Sequence, residues 1–210
     1  KQIISHPSSL DNVDDVIIID HHQTPTNNIE KPIFSWLEPS VSSTTELVVD
    51  LLDANGIKIN SKELANLGIL GILTDSSNLK YDTGQNTLEA LSTLVSYKGN
   101  IEEAREKQYL GYKDFKKLNL LLEKIYLLNK FAIIEVENED DQILLSMAVN
   151  RAGEMKDVFG SVIISKNESS VIVKIRSSDK LNSKVFIEEF GGGGHARQAA
   201  AEVSHMEIPQ

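Results

Sequence analysis

Apolar and polar positions change period several times along the chain, and each change marks a predicted element. Val16, Ile17, Ile18 and Ile19 are consecutive apolar, β-branched residues. Such a run predicts a strand buried on both faces, as in the middle of a parallel sheet. It stops at Asp20-His21-His22, and a short extended stretch follows at 33–37. The period then lengthens. Ser42-Ser43-Thr44-Thr45 precedes an apolar segment closed by Gly56, which predicts a capped helix with a glycine terminator. A second helix begins near Asn60, with Glu63 at capping-box spacing, and runs through Leu64, Leu67 and Leu70 toward Thr74. Asn86 with Glu89 opens a third helix ending before Gly99, and Asn100 with Glu103 repeats the device for a fourth. Between 112 and 128, apolar residues at Phe115, Leu118, Leu121, Leu122, Ile125 and Leu128 keep a helical period and predict a connecting helix.

The remainder alternates differently. A strand is expected at 131–136, and the acidic stretch 137–141 reads as a solvated loop. Strands around 161–165 and 171–175 flank the polar cluster Lys166-Asn167-Glu168-Ser169-Ser170, the pattern of a hairpin. A helix over 183–190 leads into Gly191-Gly192-Gly193-Gly194-His195. The fold class that follows is α/β, with two α/β segments joined by helices and a boundary near Lys130.

Composition narrows the function. The 210 residues have 40% hydrophobic and 25% charged content, as in globular proteins, and no apolar run approaches the ~18 residues that span a bilayer. Cysteine is absent, so nothing supports an extracellular disulfide framework, and a cytoplasmic setting is expected. A net charge of −10 argues against a binder of duplex nucleic acid, which needs a basic footprint, but leaves room for a small phosphorylated ligand. The acidity is uneven, since the chain from Gln142 onward is charge-balanced.

Four groups of residues carry candidate chemistry. At the carboxyl end of a strand, where open α/β sheets bind ligands, Asp20-His21-His22 offers one oxygen donor and two imidazoles. That set suits a divalent transition metal such as Mn²⁺, Zn²⁺ or Fe²⁺. Gly68-Ile69-Leu70-Gly71-Ile72-Leu73-Thr74-Asp75 is an apolar helix that can deliver a carboxylate to the same metal, or simply end in a cap. Arg176, at a strand end and followed by Ser177-Ser178, suits bidentate phosphate recognition, with a surface ion pair as the plainer role. Glycines 191–194 let backbone N–H groups approach an anion, and His195 adds a side-chain donor.

Taken together these residues resemble the DHH phosphoesterase superfamily with its DHH-associated C-terminal domain. Asp20-His21-His22 is similar to the triplet that names it, and Gly191 through Ala200 resembles the signature of the associated domain. Within the superfamily, Leu37-Glu38-Pro39 with Ser42-Ser43-Thr44-Thr45-Glu46-Leu47-Val48, and the Gly192-Gly193-Gly194-His195 stretch, are most similar to cyclic di-AMP phosphodiesterases. The resemblance implies an incomplete Rossmann-like parallel-sheet DHH domain over 1–110, a helical connector over 111–130, and a smaller α/β substrate-binding domain over 131–210. It implies His21 and Asp75 as ligands of one of two Mn²⁺ ions, or of another divalent transition metal. Asp20 would support the site and His22 face the scissile phosphate. Arg176, Gly192, Gly193, Gly194 and His195 would grip the nucleotide. The implied reaction is two-metal hydrolysis of cyclic di-AMP to the linear dinucleotide, in a cleft between the domains. Oligoribonucleases that also dephosphorylate adenosine bisphosphate are the alternative within the superfamily. A nucleotide-binding module without catalysis is the alternative of another class. A homodimer is compatible with all three.

The same resemblance expects a His-x-x-x-Asp-x-Asp strand end ahead of the triplet, together with an aspartate bridging both ions. Residues 1–7 offer Ser5 and His6 where aspartate is wanted. The expectation is therefore a piece of a longer enzyme with a half-built site and poor activity on its own, rather than a degenerated domain with exposed sheet edges. A membrane anchor in the parent protein is left open.

Overall fold

The computed structural model describes residues 13, 15–22, 32–178, 181–194 and 196–204. The chain divides into two compact units, Lys1–Tyr109 and Leu110–Gln210.

In the first unit β1 (Ile17–Asp20) pairs in parallel with β2 (Phe34–Leu37), Ile17 opposite Phe34 and Asp20 opposite Leu37. Ile18 is buried, and α1 (Thr44–Ala54) packs against the strand. Ile17 on the opposite face is 60% exposed, so the expected burial on both faces is not met. Among the described residues β2 is the one strand paired with β1, and one layer of helix covers one face only.

The helix α1 is capped by Ser43, whose Oγ accepts the Glu46 N–H, and the chain leaves it through Gly56 at φ +65°. Ser61 caps α2 (Lys62–Asp75) by accepting the Leu64 N–H at 3.2 Å. Leu64, Leu67 and Leu70 are not the most buried residues of this helix. Leu64 and Leu67 are exposed, whereas Ala65, Ile69, Ile72 and Leu73 are buried with Leu91 and Leu94 of α3 (Gln85–Ser96) and Ala104 of α4 (Ile101–Glu106). Small residues decide this, because they let helices approach closely. A Cβ on Gly71 would lie 2.6 Å from Thr45 Oγ1 of α1, and one on Gly68 would lie 2.9 Å from Leu94 Cδ2. The α1–α2 contact is what carries the end of α2 to the end of β1.

The second unit contains α5 (Tyr112–Leu122), β3 (Tyr126–Leu128), β4 (Phe131–Glu137), α6 (Gln142–Ala152), β5 (Gly160–Lys166), β6 (Ser170–Ser177), α7 (Ser183–Glu188), β7 (Gly193–Gly194) and β8 (Gln198–Ser204). Its sheet runs β3-β4-β5-β6-β8-β7, with β4 and β5 parallel and the other neighbours antiparallel. The helix predicted over 112–128 stops at Leu122. Beyond it the chain takes 3₁₀-type bonds to Leu121 and Leu122, and a turn through Asn129 at φ 56° pairs Tyr126–Leu128 with β4. The acidic loop ends in Asp141, which accepts the N–H groups of Ile143 and Leu144 at 3.0 Å each and so starts α6, a helix the acidic context had hidden. Leu118 and Leu121 of α5, and Leu144, Leu145, Ala148 and Val149 of α6, bury one sheet face. Ile187 of α7 packs with Ala199, Ala201, Val203, Val173 and Ile175 on the other. Among the described residues no helix is long and apolar enough to cross a membrane.

Candidate functional site

The first site sits where β1 and α2 both end. His21 follows the last residue of β1, and its ring is buried with Nδ1 3.4 Å from the Val41 carbonyl oxygen. Asp75 is the last residue of α2. Ser76 closes that helix, its Oγ donating to the Ile72 carbonyl at 2.7 Å and accepting the Leu79 N–H. Ser77, Asn78 and Leu79 then take positive φ in succession and turn the chain away. The sequence thus brings together a residue from position 21 and one from position 75, with His21 Nε2 3.8 Å from Asp75 Oδ2.

Electrostatics at this point favour a cation. Asp75 lies at the carbonyl end of α2, the negative pole of the helix. Loss of hydration pushes its carboxyl above the usual range; His21 and His22 oppose that, and Glu46 adds to it. A carboxylate disfavoured in this way is relieved by a bound positive charge. Burial works against Asp20 too, but hydrogen bonds from the ring and backbone of His22 outweigh it and hold its carboxyl below the usual range. Asp20 Oδ1 accepts the His22 N–H at 3.2 Å and lies 2.6 Å from His22 Nδ1, while the two imidazoles meet edge to face at 4.7 Å. The carboxylate therefore fixes the His22 ring with its proton on Nδ1 and gives Nε2 the outward chemistry.

The donor set is compatible with a divalent transition ion. An imidazole nitrogen and a carboxylate oxygen 3.8 Å apart can be bridged by one ion bonded to each at about 2.0–2.2 Å. Among the described residues no group of three or more His, Cys, Asp or Glu gathers around one point, so the described donors number two.

Glu46 is the residue that sequence reasoning passed over. It is fully buried, and its carboxyl accepts hydroxyl hydrogen bonds from Ser42, from Ser43 at 3.3 Å and from Thr87 at 3.1 Å. In the sequence it stands only as part of the Ser42–Val48 motif; the contact with Thr87, 41 residues away, shows a buried acid next to the site.

In the second unit Arg176 is 4% exposed on β6 and donates through Nη1 to Gln198 Oε1 at 2.5 Å. Gly193 and Gly194 form β7 against Ala200 and Ala199, on the strand that also carries Gln198. Gly192 is wedged in tightly, since a Cβ there would overlap Ile187 Cγ2 and the Ala200 carbonyl oxygen. Arg176 and the glycines 192–194 are thus gathered along β6, β8 and β7, whereas His195 lies outside the described residues.

Known proteins supply the context. A family model for the DHH family, N-terminal domain, matches residues 4–72, and one for the DHHA1 domain matches residues 128–209. The cyclic-di-AMP phosphodiesterase GdpP of Geobacillus thermodenitrificans is 29% identical over 200 residues, covering 93% of this chain and 30% of the relative. The bifunctional oligoribonuclease and PAP phosphatase NrnA of Thermus thermophilus is 27% identical over 203 residues, covering 93% of this chain and 60% of the relative. Among solved structures, an exopolyphosphatase-related protein from Bacteroides fragilis has a TM-score of 0.77 at 22% identity, over 89% of this chain and 58% of that one. That likeness is one of fold. The chain spans about a third of the length of the cyclic-di-AMP phosphodiesterases it matches.

Proposed function

The chain belongs to the DHH family of phosphoesterases, and we propose that it is the hydrolytic part of a divalent-metal phosphodiesterase that opens cyclic di-AMP to the linear dinucleotide. The observation that carries this reading is the approach of His21 Nε2 to Asp75 Oδ2, two donors of metal-binding type delivered by separate elements to one strand end. The substrate rests on the names of the relatives, which are cyclic-di-AMP phosphodiesterases in the first three cases.

His21 and Asp75 would hold one ion, with Mn²⁺ first in preference and a second ion nearby as the family resemblance implies. Bound there, the metal supplies Lewis acidity toward the phosphate and hydroxide at neutral pH. The protein's own groups do the rest. Asp20 keeps His22 in one orientation, so that Nε2 can hold or pass a proton at the scissile phosphate. The negative end of α2 and the Glu46 charge both make a bare Asp75 carboxylate costly, and a bound cation would relieve that cost. Arg176, the backbone of glycines 192–194 and His195 would hold the nucleotide. Two described donors bind an ion weakly, so turnover by this chain alone should be slow and need metal in excess.

Hydrolysis of cyclic di-AMP with excess Mn²⁺ tests the proposal. His21→Ala and Asp75→Asn should each lower kcat/KM by at least 100-fold. Undiminished turnover in both would overturn it. Adenosine bisphosphate serves as the second substrate: efficient release of phosphate from it, with cyclic di-AMP ignored, would favour the NrnA-like reading.

A further inference from the structure

The end of α2 is held by side chains that arrive from beyond the next helix. Just past Asp75, three residues sit in the left-handed region one after another: Ser77 at φ 51°, Asn78 at 60° and Leu79 at 64°. L-residues visit that region singly, asparagine more readily than serine or leucine. Three in succession make a strained turn, which persists only where its surroundings impose it. The backbone does part of this. The Asn78 N–H donates to the Leu73 carbonyl at 2.7 Å, and the Lys80 and Tyr81 N–H groups share the Ser76 carbonyl at 3.0 and 3.1 Å.

Four side chains joined in one line do the rest. Arg105 Nε donates to Asn78 Oδ1 at 3.3 Å, and Asn78 Nδ2 donates to Gln108 Oε1 at 3.0 Å. Gln108 Nε2 then donates to Thr74 Oγ1 at 3.1 Å, and Thr74 Oγ1 donates to the Leu70 carbonyl at 2.8 Å. Asn78, Gln108 and Thr74 each accept one bond and donate one, so a single orientation of both amides satisfies the whole line. Arg105 ends α4 and Gln108 lies in the turn after it, 27 to 34 positions from the residues they hold. Thr74 and Asn78 stand on either side of Asp75. These groups are exposed or half-buried, and such bonds exchange for bonds to water, so they add little to stability. What they fix is direction. Asp75 is the last residue of its helix, where helices fray, and its Oδ2 has to stay near His21 Nε2 for one ion to reach both.

We propose that Gln108, bridging Thr74 and Asn78, is a positioning residue for the metal centre: the line Arg105–Asn78–Gln108–Thr74 holds the left-handed turn closed and so aims the Asp75 carboxylate at His21. Gln108 touches neither the ion nor the substrate and acts through Asp75. The inference deepens the proposed function and rests on that reading for the ion alone, because the aim of Asp75 is a property of the metal-free chain.

The test uses the full chain and two readouts: the nuclear Overhauser contact between the His21 ring and the Asp75 β-protons without metal, and the affinity for Mn²⁺ alone. Gln108→Leu keeps the bulk and removes both bonds. Its Tm should stay close to wild type, while the His21–Asp75 contact weakens and Mn²⁺ binds about 10-fold less tightly, as for the loss of a group that orients a ligand. Thr74→Val should behave alike, and Thr74→Ser, which keeps the hydroxyl, should restore both readouts. The double variant Gln108→Leu with Thr74→Val should be no worse than either single one, since both break the same line. A lowered Tm with contact and affinity intact would make the line merely structural and overturn the proposal. So would losses in the double variant that add up, or a wild type without the contact. Should wild type bind no Mn²⁺, the metal reading falls and the contact alone decides: its loss in Gln108→Leu upholds the positioning role, and its retention overturns it.

Discussion

Replacing Glu46 separates the role of shape from the role of charge beside His21 and Asp75, the proposed metal ligands. The side chain is fully buried and takes hydroxyl hydrogen bonds from Ser42, Ser43 and Thr87, while Thr87 Oγ1 also accepts the Gly84 N–H that opens α3. In Glu46→Ala all three hydroxyls lose their acceptor and a cavity opens between α1 and α3. Each stranded donor costs about 1–3 kcal/mol, though Ser42 and Thr87, already 3.5 Å apart, can pair with each other and recover part of it. The net loss should be about 3–5 kcal/mol, or on the order of 10 °C in Tm for a chain of this size. Glu46→Gln keeps the volume and one acceptor oxygen but turns the other into a donor facing Thr87 or Ser42, so it should cost about 1–2 kcal/mol. Removing the Glu46 charge also lets the Asp75 carboxyl titrate lower, since Glu46 helps to raise it. Urea unfolding followed by the fluorescence of Trp36, the one tryptophan and a residue of β2, reports on the first unit directly. Equal losses for the two variants, or less than about 0.5 kcal/mol for Glu46→Ala, would refute the reasoning.

Three further outcomes follow from the same geometry. Gly192→Ala should destabilise the second unit by about 1–3 kcal/mol and loosen β7, because its Cβ overlaps Ile187 and the Ala200 carbonyl; hydrogen exchange at Ala199 and Ala200 reads the effect. Asp75→Asn should be at least as stable as wild type at neutral pH without metal, yet fail to bind it. The sign follows from the raised folded pKa: between the unfolded value near 3.8 and the folded one, the native state holds the proton that the unfolded state has lost. Stability therefore falls as pH rises through that window, and the asparagine variant, compared by thermal melts at pH 3 to 7, should lack this fall. Asp20→Asn should lower kcat for the proposed hydrolysis about 100-fold or more with KM little changed, since it releases the His22 ring; parallel loss of KM would point to a role in binding instead.

How much could be read from the chain differs from element to element. Local chemistry was legible: Ser43 and Asn100 are helix caps as expected, Gly56 ends α1 with positive φ, and the polar cluster at 166–170 joins two antiparallel strands. Asp20-His21-His22 was legible as a strand end because an apolar run stops there at polar residues. What escaped depends on partners distant in sequence. Periodicity alone continued the helix from Leu122 to Leu128, but pairing with β4 claims Tyr126–Leu128 for the sheet. Leu64 and Leu67 outrank alanine and glycine in hydrophobicity, yet close helix contacts through Gly68 and Gly71 put the smaller residues inside. Glu46 and Lys174 look like surface charges in sequence. Tertiary packing buries the first among hydroxyls and the second beside a cavity.

The pairing of His21 with Asp75 is tested most directly by titrating Mn²⁺ into the metal-free chain and following the ion by electron paramagnetic resonance, with broadening of backbone amide signals to locate it. The expected result is a site that broadens residues around His21 and Asp75 and is lost in both His21→Ala and Asp75→Asn. Binding of Mn²⁺ elsewhere, or undiminished binding in the two variants, would contradict a metal centre at the end of β1.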